Sequence, residues 1–196
     1  MAEPAGELRS VEAVEVDRRN DLQARYGGFY WGSDFLGFAV AIFFTIVFFG
    51  IVGAIVGTVG YQLNAPVPKV GGAITTAQQQ LGIGGLIGGL LALFLAYFLG
   101  GYTAGRMAWF DGAKNGLGVV LWTIVVAIIL GITGGALGNR FNVASQLHLK
   151  IDTATLTAGG VISLAVALVV MLLAAVIGGQ VGANYHRKID RAAGVV

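Results

Sequence analysis

The chain contains no cysteine among its 196 residues. That excludes a disulfide framework, a thiolate nucleophile, an iron–sulfur cluster and any zinc site built on thiolates. It has two histidines, His148 and His186, too few and too far apart in sequence to make a zinc site on their own. Charged residues are scarce at 11%, and the net charge of +2 is too small to draw in nucleic acid. No catalytic residue set, metal-ligand cluster or cofactor motif is present. The scarcity of charge is also uneven: residues 35–59 run 25 positions without one charged side chain.

Three more such stretches follow, and 56% of the chain is hydrophobic, with a mean hydropathy of +0.80. A membrane span needs about 20 apolar residues to cross roughly 30 Å of hydrocarbon. The sequence therefore predicts an all-α membrane protein, a bundle of four transmembrane helices over about 35–61, 81–105, 115–138 and 158–183. Residues 1–34 form a polar tail, 35–186 the transmembrane domain and 187–196 a basic C-terminal tail. The first apolar run begins too late and runs too long for a secretory signal, so it reads as a retained span. The N-terminal tail pairs Glu15 with Arg19 and Asp21 with Arg25 at helical spacing, yet Leu8, Val11, Val14, Val16 and Leu22 line no single face. A solvated tail and a docking helix both fit that pattern.

Orientation follows from the twelve Lys and Arg residues. Nine fall on one side: Arg9, Arg18, Arg19, Arg25, Arg106, Lys114, Arg187, Lys188 and Arg191. Lys69, Arg140 and Lys150 fall on the other. Positive charge is retained on the cytoplasmic face, so both termini are expected there, in a cytoplasmic (inner) membrane. Phe29, Tyr30, Trp31, Trp109, Phe110 and Tyr185 form an aromatic belt at that interface. His186, Arg187, Lys188 and Arg191 are placed for lipid headgroup contact. Among the outer loops, Gln78 to Gln80 reads as a polar helix start.

An internal repeat is visible. At an offset of 81, Leu36, Gly37, Gly50, Ile51, Gly53 and Gly57 match Leu117, Gly118, Gly131, Ile132, Gly134 and Gly138. At an offset of 78, Leu90, Ala96, Gly100 and Gly101 match Leu168, Ala174, Gly178 and Gly179. The expected architecture is a tandem, parallel duplication of a two-helix hairpin, giving a pseudo-twofold bundle.

Most of the 32 glycines recur at intervals of three or four within the spans. Gly50, Gly53, Gly57, Gly84, Gly85, Gly88, Gly89, Gly101, Gly105, Gly131, Gly134, Gly138, Gly178 and Gly182 are the expected helix-packing positions, since small residues allow the close approach that holds helices together in lipid. The same seams also suit a homo-oligomer interface or a hinge. On the packing reading, Gly53→Leu or Gly134→Leu loosens the bundle.

Polar groups at membrane depth are few. Thr45, Thr123, Thr133 and Ser163 can bond to their own helix carbonyls. Thr133 and Gln180 are the candidate polar lining. Asp34 and Asp111 stand just ahead of spans one and three, where each acid would favour a helix N-terminus. With no acid or base inside any span, proton coupling, sodium coupling and voltage sensing lose support.

Residues 100–107, reading Gly-Gly-Tyr-Thr-Ala-Gly-Arg-Met, and residues 111–118, reading Asp-Gly-Ala-Lys-Asn-Gly-Leu-Gly, carry a family resemblance. They resemble the Gly-Gly-x-x-Ala-Gly-Arg hairpin of small glycine-rich four-span bacterial membrane proteins of the YrzE-like kind. The resemblance implies a bacterial cytoplasmic membrane and brings no catalytic residues. In the duplicate at residues 178–184 the glycines persist, while Asn184 replaces the arginine.

The function expected is a non-enzymatic integral membrane protein with a structural, accessory or scaffold role, packed by glycine. Its partners are the lipid bilayer and either further copies of itself or a larger membrane complex. The alternative is a small-solute channel or transporter formed by the bundle or its oligomer.

Overall fold

A computed structural model describes residues 13, 14, 16–18, 20, 21, 27–65, 75–108, 110–140 and 158–192. Within residues 137–139, 158–161 and 186–192 only the backbone is described. The described residues of the N-terminal tail between 13 and 21 are helical. Four long helices follow: α1 (Trp31–Gln62), α2 (Thr76–Met107), α3 (Gly112–Arg140) and α4 (Ala158–Ala192). Each includes a stretch long and apolar enough to cross a bilayer.

The helices outrun the predicted spans at their ends. α1 and α2 each have 32 residues, or roughly 48 Å at about 1.5 Å per residue, so their ends extend past the hydrocarbon layer or the helices tilt. The start of α2 shows why. Thr75 is its N-cap: the Thr75 hydroxyl accepts from the Gln78 backbone N–H at 3.3 Å, and the Gln78 side chain accepts from Thr75 N–H at 2.9 Å. This reciprocal pair satisfies two donors that a helix start leaves open. The polar run at Gln78 is thus the first turn of a helix.

α2 is central. It packs along α1 and along α4, and also touches α3; α3 packs against α4 and more thinly against α1. Among the described residues α1 and α4 do not touch. An exact twofold relating the hairpins would make α1–α4 the counterpart of α2–α3, so the packing departs from the twofold that the repeat suggests.

The interior inverts the pattern of a soluble bundle. Ala41, Ala96, Ala104, Ala174 and Ala175 are fully buried, whereas Ile46 and Ile132 are 69% and 68% exposed. In lipid, apolar side chains gain nothing by turning inward, and close backbone approach decides which faces meet. A methyl group added at Gly101 would strike the Ala175 carbonyl, at Gly105 the Gly179 carbonyl, at Gly178 the Phe98 carbonyl and at Gly182 the Tyr102 carbonyl. α3 joins the same seam through Gly112 and Gly116, which lie against Gly179 and Ala175. α1 joins through Gly37, where an added methyl would come 2.6 Å from the Gly100 carbonyl.

The opposite end of the bundle is loose, and there part of the expected glycine set has no neighbour within the chain. Gly50, Gly53, Gly57, Gly84, Gly131 and Gly134 face open space, with no atom within 4 Å of an added methyl. Gly85, Gly88 and Gly89 make ordinary or slightly tight contact with Val56, Val52 and Phe49. The surroundings of Gly138 lie outside the described residues. α3 has left its neighbours at this end: residues 127–136 are exposed all round. Spacing alone marks glycines that share a face, and a face needs a partner to become a seam.

The two ends therefore respond differently to substitution. Gly101→Leu or Gly178→Leu forces a side chain into a backbone carbonyl, and we expect loss of the assembled fold, read as a collapsed thermal transition in detergent. Gly131→Ala meets nothing and gains up to ~1 kcal/mol of helix propensity. Its transition should stay in place or rise slightly.

Candidate functional site

The tight end of the bundle holds the buried polar residues. Asn115, in the first turn of α3, is fully buried and is placed by the turn that joins α2 to α3. Asp111 adopts φ +53° there, a left-handed conformation that Asp tolerates better than most residues. Asn115 Oδ1 accepts from the Tyr30 backbone N–H at 2.9 Å. Its Nδ2 group donates to the carbonyls of Gly28 and Asp111 at 3.1 Å and of Phe110 at 3.4 Å. One amide thereby ties the segment leading into α1 to the turn between α2 and α3.

Asp34 lies in the same region, at the α1–α3 contact, and its place differs from the one its sequence position suggests. Because α1 begins at Trp31, Asp34 stands in its first turn and not ahead of it, still at the N-terminal end where an acid is favoured. It is fully buried, and neither carboxyl oxygen has a hydrogen-bond partner. Gly118 of α3 sits directly against the carboxyl: a methyl there would collide with Oδ2 and Cγ. Ser33 donates its hydroxyl proton to the Tyr30 carbonyl at 2.9 Å. Trp122, one turn beyond Gly118, packs edge-on against Phe35 with ring centroids 5.1 Å apart, and its indole N–H is also buried and unpartnered. Asp111, by contrast, stands immediately before α3 and accepts from Lys114 Nζ at 2.9 Å.

Deeper in the bundle, Tyr97 of α2 and Thr123 of α3 are linked at 3.0 Å. Thr123 donates to the Val119 carbonyl at 3.0 Å, which commits its one proton, so Tyr97 is the donor between them. At the end of α2, Arg106 donates to the Tyr102 hydroxyl at 3.1 Å and lies 4.1 Å over the Tyr185 ring, joining α2 to α4.

The two candidate lining residues are not brought together. Thr133 is exposed on the bare part of α3 and bonds back to Ile129 and Leu130, at 2.7 and 3.3 Å. Gln180 lines a pocket of about 350 Å³ with Asp111, Gly112, Ala113, Ala183 and Asn184. Thr45 and Thr123 bond back to their own helices as expected. The side chains of His186, Arg187, Lys188 and Arg191 lie outside the described residues. Among the described residues, no three His, Cys, Asp or Glu side chains come together.

No family model, curated protein or solved structure matches the chain.

Removing the Asn115 amide leaves the Tyr30 N–H and the Gly28 carbonyl unmatched, and a buried unsatisfied group costs about 1–3 kcal/mol. We expect Asn115→Ala to lower stability by about that amount, with faster proteolysis ahead of α1 as the local readout.

Proposed function

We propose that this integral membrane protein is a non-enzymatic scaffold or accessory subunit that associates laterally in the bilayer with further copies of itself or with a larger membrane complex. The observation that carries this reading is the bare outer part of α3 with Gly131, Gly134 and Gly135 on it, alongside Gly50, Gly53 and Gly57 on α1, all facing open space. Glycine inside a helix costs about 1 kcal/mol relative to alanine. In lipid that cost is offset where a second backbone comes close. Within one chain these glycines have no such neighbour, whereas glycines of the same spacing at the other end do.

On this reading both termini face the cytoplasm, with the tight end of the bundle on that side. The nine basic residues and the aromatic belt support that orientation, as does the placing of Arg106 and Tyr185 at the tight end. The hairpin resemblance adds a bacterial inner membrane to the same reading.

The pocket beside Gln180 favours a second reading, a small-solute channel or transporter. Its lining of Gln180, Asn184 and Asp111 offers both donors and acceptors at one mouth. Immediately beside it, Gly179 lies against the Gly112 carbonyl, so passage would require α3 and α4 to part.

The deciding measurement is the native mass of the full chain in lipid particles, with companions identified in the same run. A mass above one chain is expected, falling to the single-chain value in Gly53→Leu, Gly134→Leu while the melting transition in detergent persists. A native chain that is monomeric and alone overturns the scaffold reading and makes solute flux into liposomes the next assay.

A further inference from the structure

Asp34 has no role in lateral association. It points neither to lipid nor to the pocket: it is fully enclosed, both oxygens lack partners, and α3 closes over it at Gly118. Its polar surroundings are committed apart from the Trp122 indole N–H, a neutral donor that is itself unpartnered and carries no charge to balance a carboxylate. Asn115 spends its carbonyl and both amide hydrogens on backbone groups, and Ser33 spends its proton on Tyr30.

The charged and titratable groups on the neighbouring elements are engaged elsewhere too. On α2, Arg106 binds Tyr102 and covers Tyr185, and Tyr97 donates to Thr123. On α3, Lys114 and Asp111 pair with each other. The Tyr30 phenol, at the start of α1, is partly exposed, and among the described residues α4 makes no contact with α1. None of these groups bonds to the Asp34 carboxyl.

An isolated carboxylate buried in this way would be severely destabilising. Something must neutralise it. A metal cation needs several oxygen ligands and room for them, and here Gly118 occupies that room while the neighbouring oxygens are spent. A proton needs neither. We propose that Asp34 is a proton-binding site in the α1–α3 seam, and that release of its proton parts α1 from α3 at Gly118.

In the release step the carboxyl O–H bond breaks, the oxygen keeps the electron pair and the proton passes to water. The carboxylate left behind requires hydration, which the closed seam does not provide. The packed seam is the form that holds the proton, so acid keeps it closed and rising pH opens it. Trp122 is placed to report the change, since its ring bridges the two helices through Trp31 and Phe35, with centroids 6.1 and 5.1 Å away.

The test uses the full chain in liposomes and its infrared spectrum, where the C=O stretch of a protonated carboxyl stands apart from the carboxylate bands and needs no reagent to enter the seam. A protonated-carboxyl band should persist after the solvated acids have ionised. It should then fall about tenfold per pH unit beyond its midpoint, and the Asp34→Asn chain should lack it. In a parallel chain carrying Trp31→Phe and Trp109→Phe, Trp122 is the sole remaining tryptophan of three. Its emission should shift to the red as pH rises, and the shift should vanish when Asp34→Asn is added.

The absence of a persistent protonated-carboxyl band overturns the proton site. An emission shift that survives Asp34→Asn, or one that never occurs while the band titrates, overturns its coupling to the seam. The band is read on the unsubstituted chain, so its absence decides the first point even if Asp34→Asn fails to assemble.

Discussion

Two helices in a bilayer gain nothing by hiding apolar surface from each other, because lipid tails are as apolar as leucine. What holds this bundle is backbone contact, and backbone contact needs residues without bulk. Gly101 on Ala175, Gly105 on Gly179 and Gly112 on Gly179 bring three helices to one narrow region. Alanines fill much of the remaining interior, with Tyr97, Val119, Val120 and Met171 among them, while many of the large aliphatic side chains are exposed. The position of α3 next to α2 and α4, the short turn at Asp111 and the seating of Asn115 all depend on that close region.

Asn115 and Asp34 illustrate how one place in the fold can carry two chemistries. They are separated by 81 residues, the offset at which glycines of the first and third spans align in the sequence, and each lies near the start of its helix, fully buried. The amide can both donate and accept, and it is saturated by backbone groups on two segments. The carboxyl, seated against a glycine, has no hydrogen-bond partner. A side chain able to donate as well as accept can serve as a structural tie. One that only accepts when ionised, in a site that binds neither oxygen, is poised to respond to its own charge.

The four crossings were legible in the sequence because a bilayer demands about twenty consecutive, predominantly apolar residues, and a helix that borders water rarely supplies them. Helix ends were less so. Gln78 to Gln80 were read as a polar helix start, and they fold so, but the cap at Thr75 gave no hydropathy signal and forms because the Thr75 and Gln78 side chains satisfy the backbone. Asp34 was read as standing before its helix: the apolar run starts at Phe35, whereas the helix starts at Trp31, so the acid belongs to the first turn, where α3 closes over it. The α1–α3 contact that buries it involves residues some 80 positions apart, which no local pattern exposes. Glycine spacing was read correctly as periodicity and only partly as packing, since Gly134 and Gly178 look alike until the facing helix is known.

The bare end of α3 also changes what the membrane is to this protein. Within one chain residues 127–136 are exposed all round, while the first turns of the helix are held by Asn115 and by glycine contacts. The tilt of a span follows the elements packed against it. What lies beside this stretch in the bilayer, lipid or a second helix, therefore completes a shape that the chain alone leaves open.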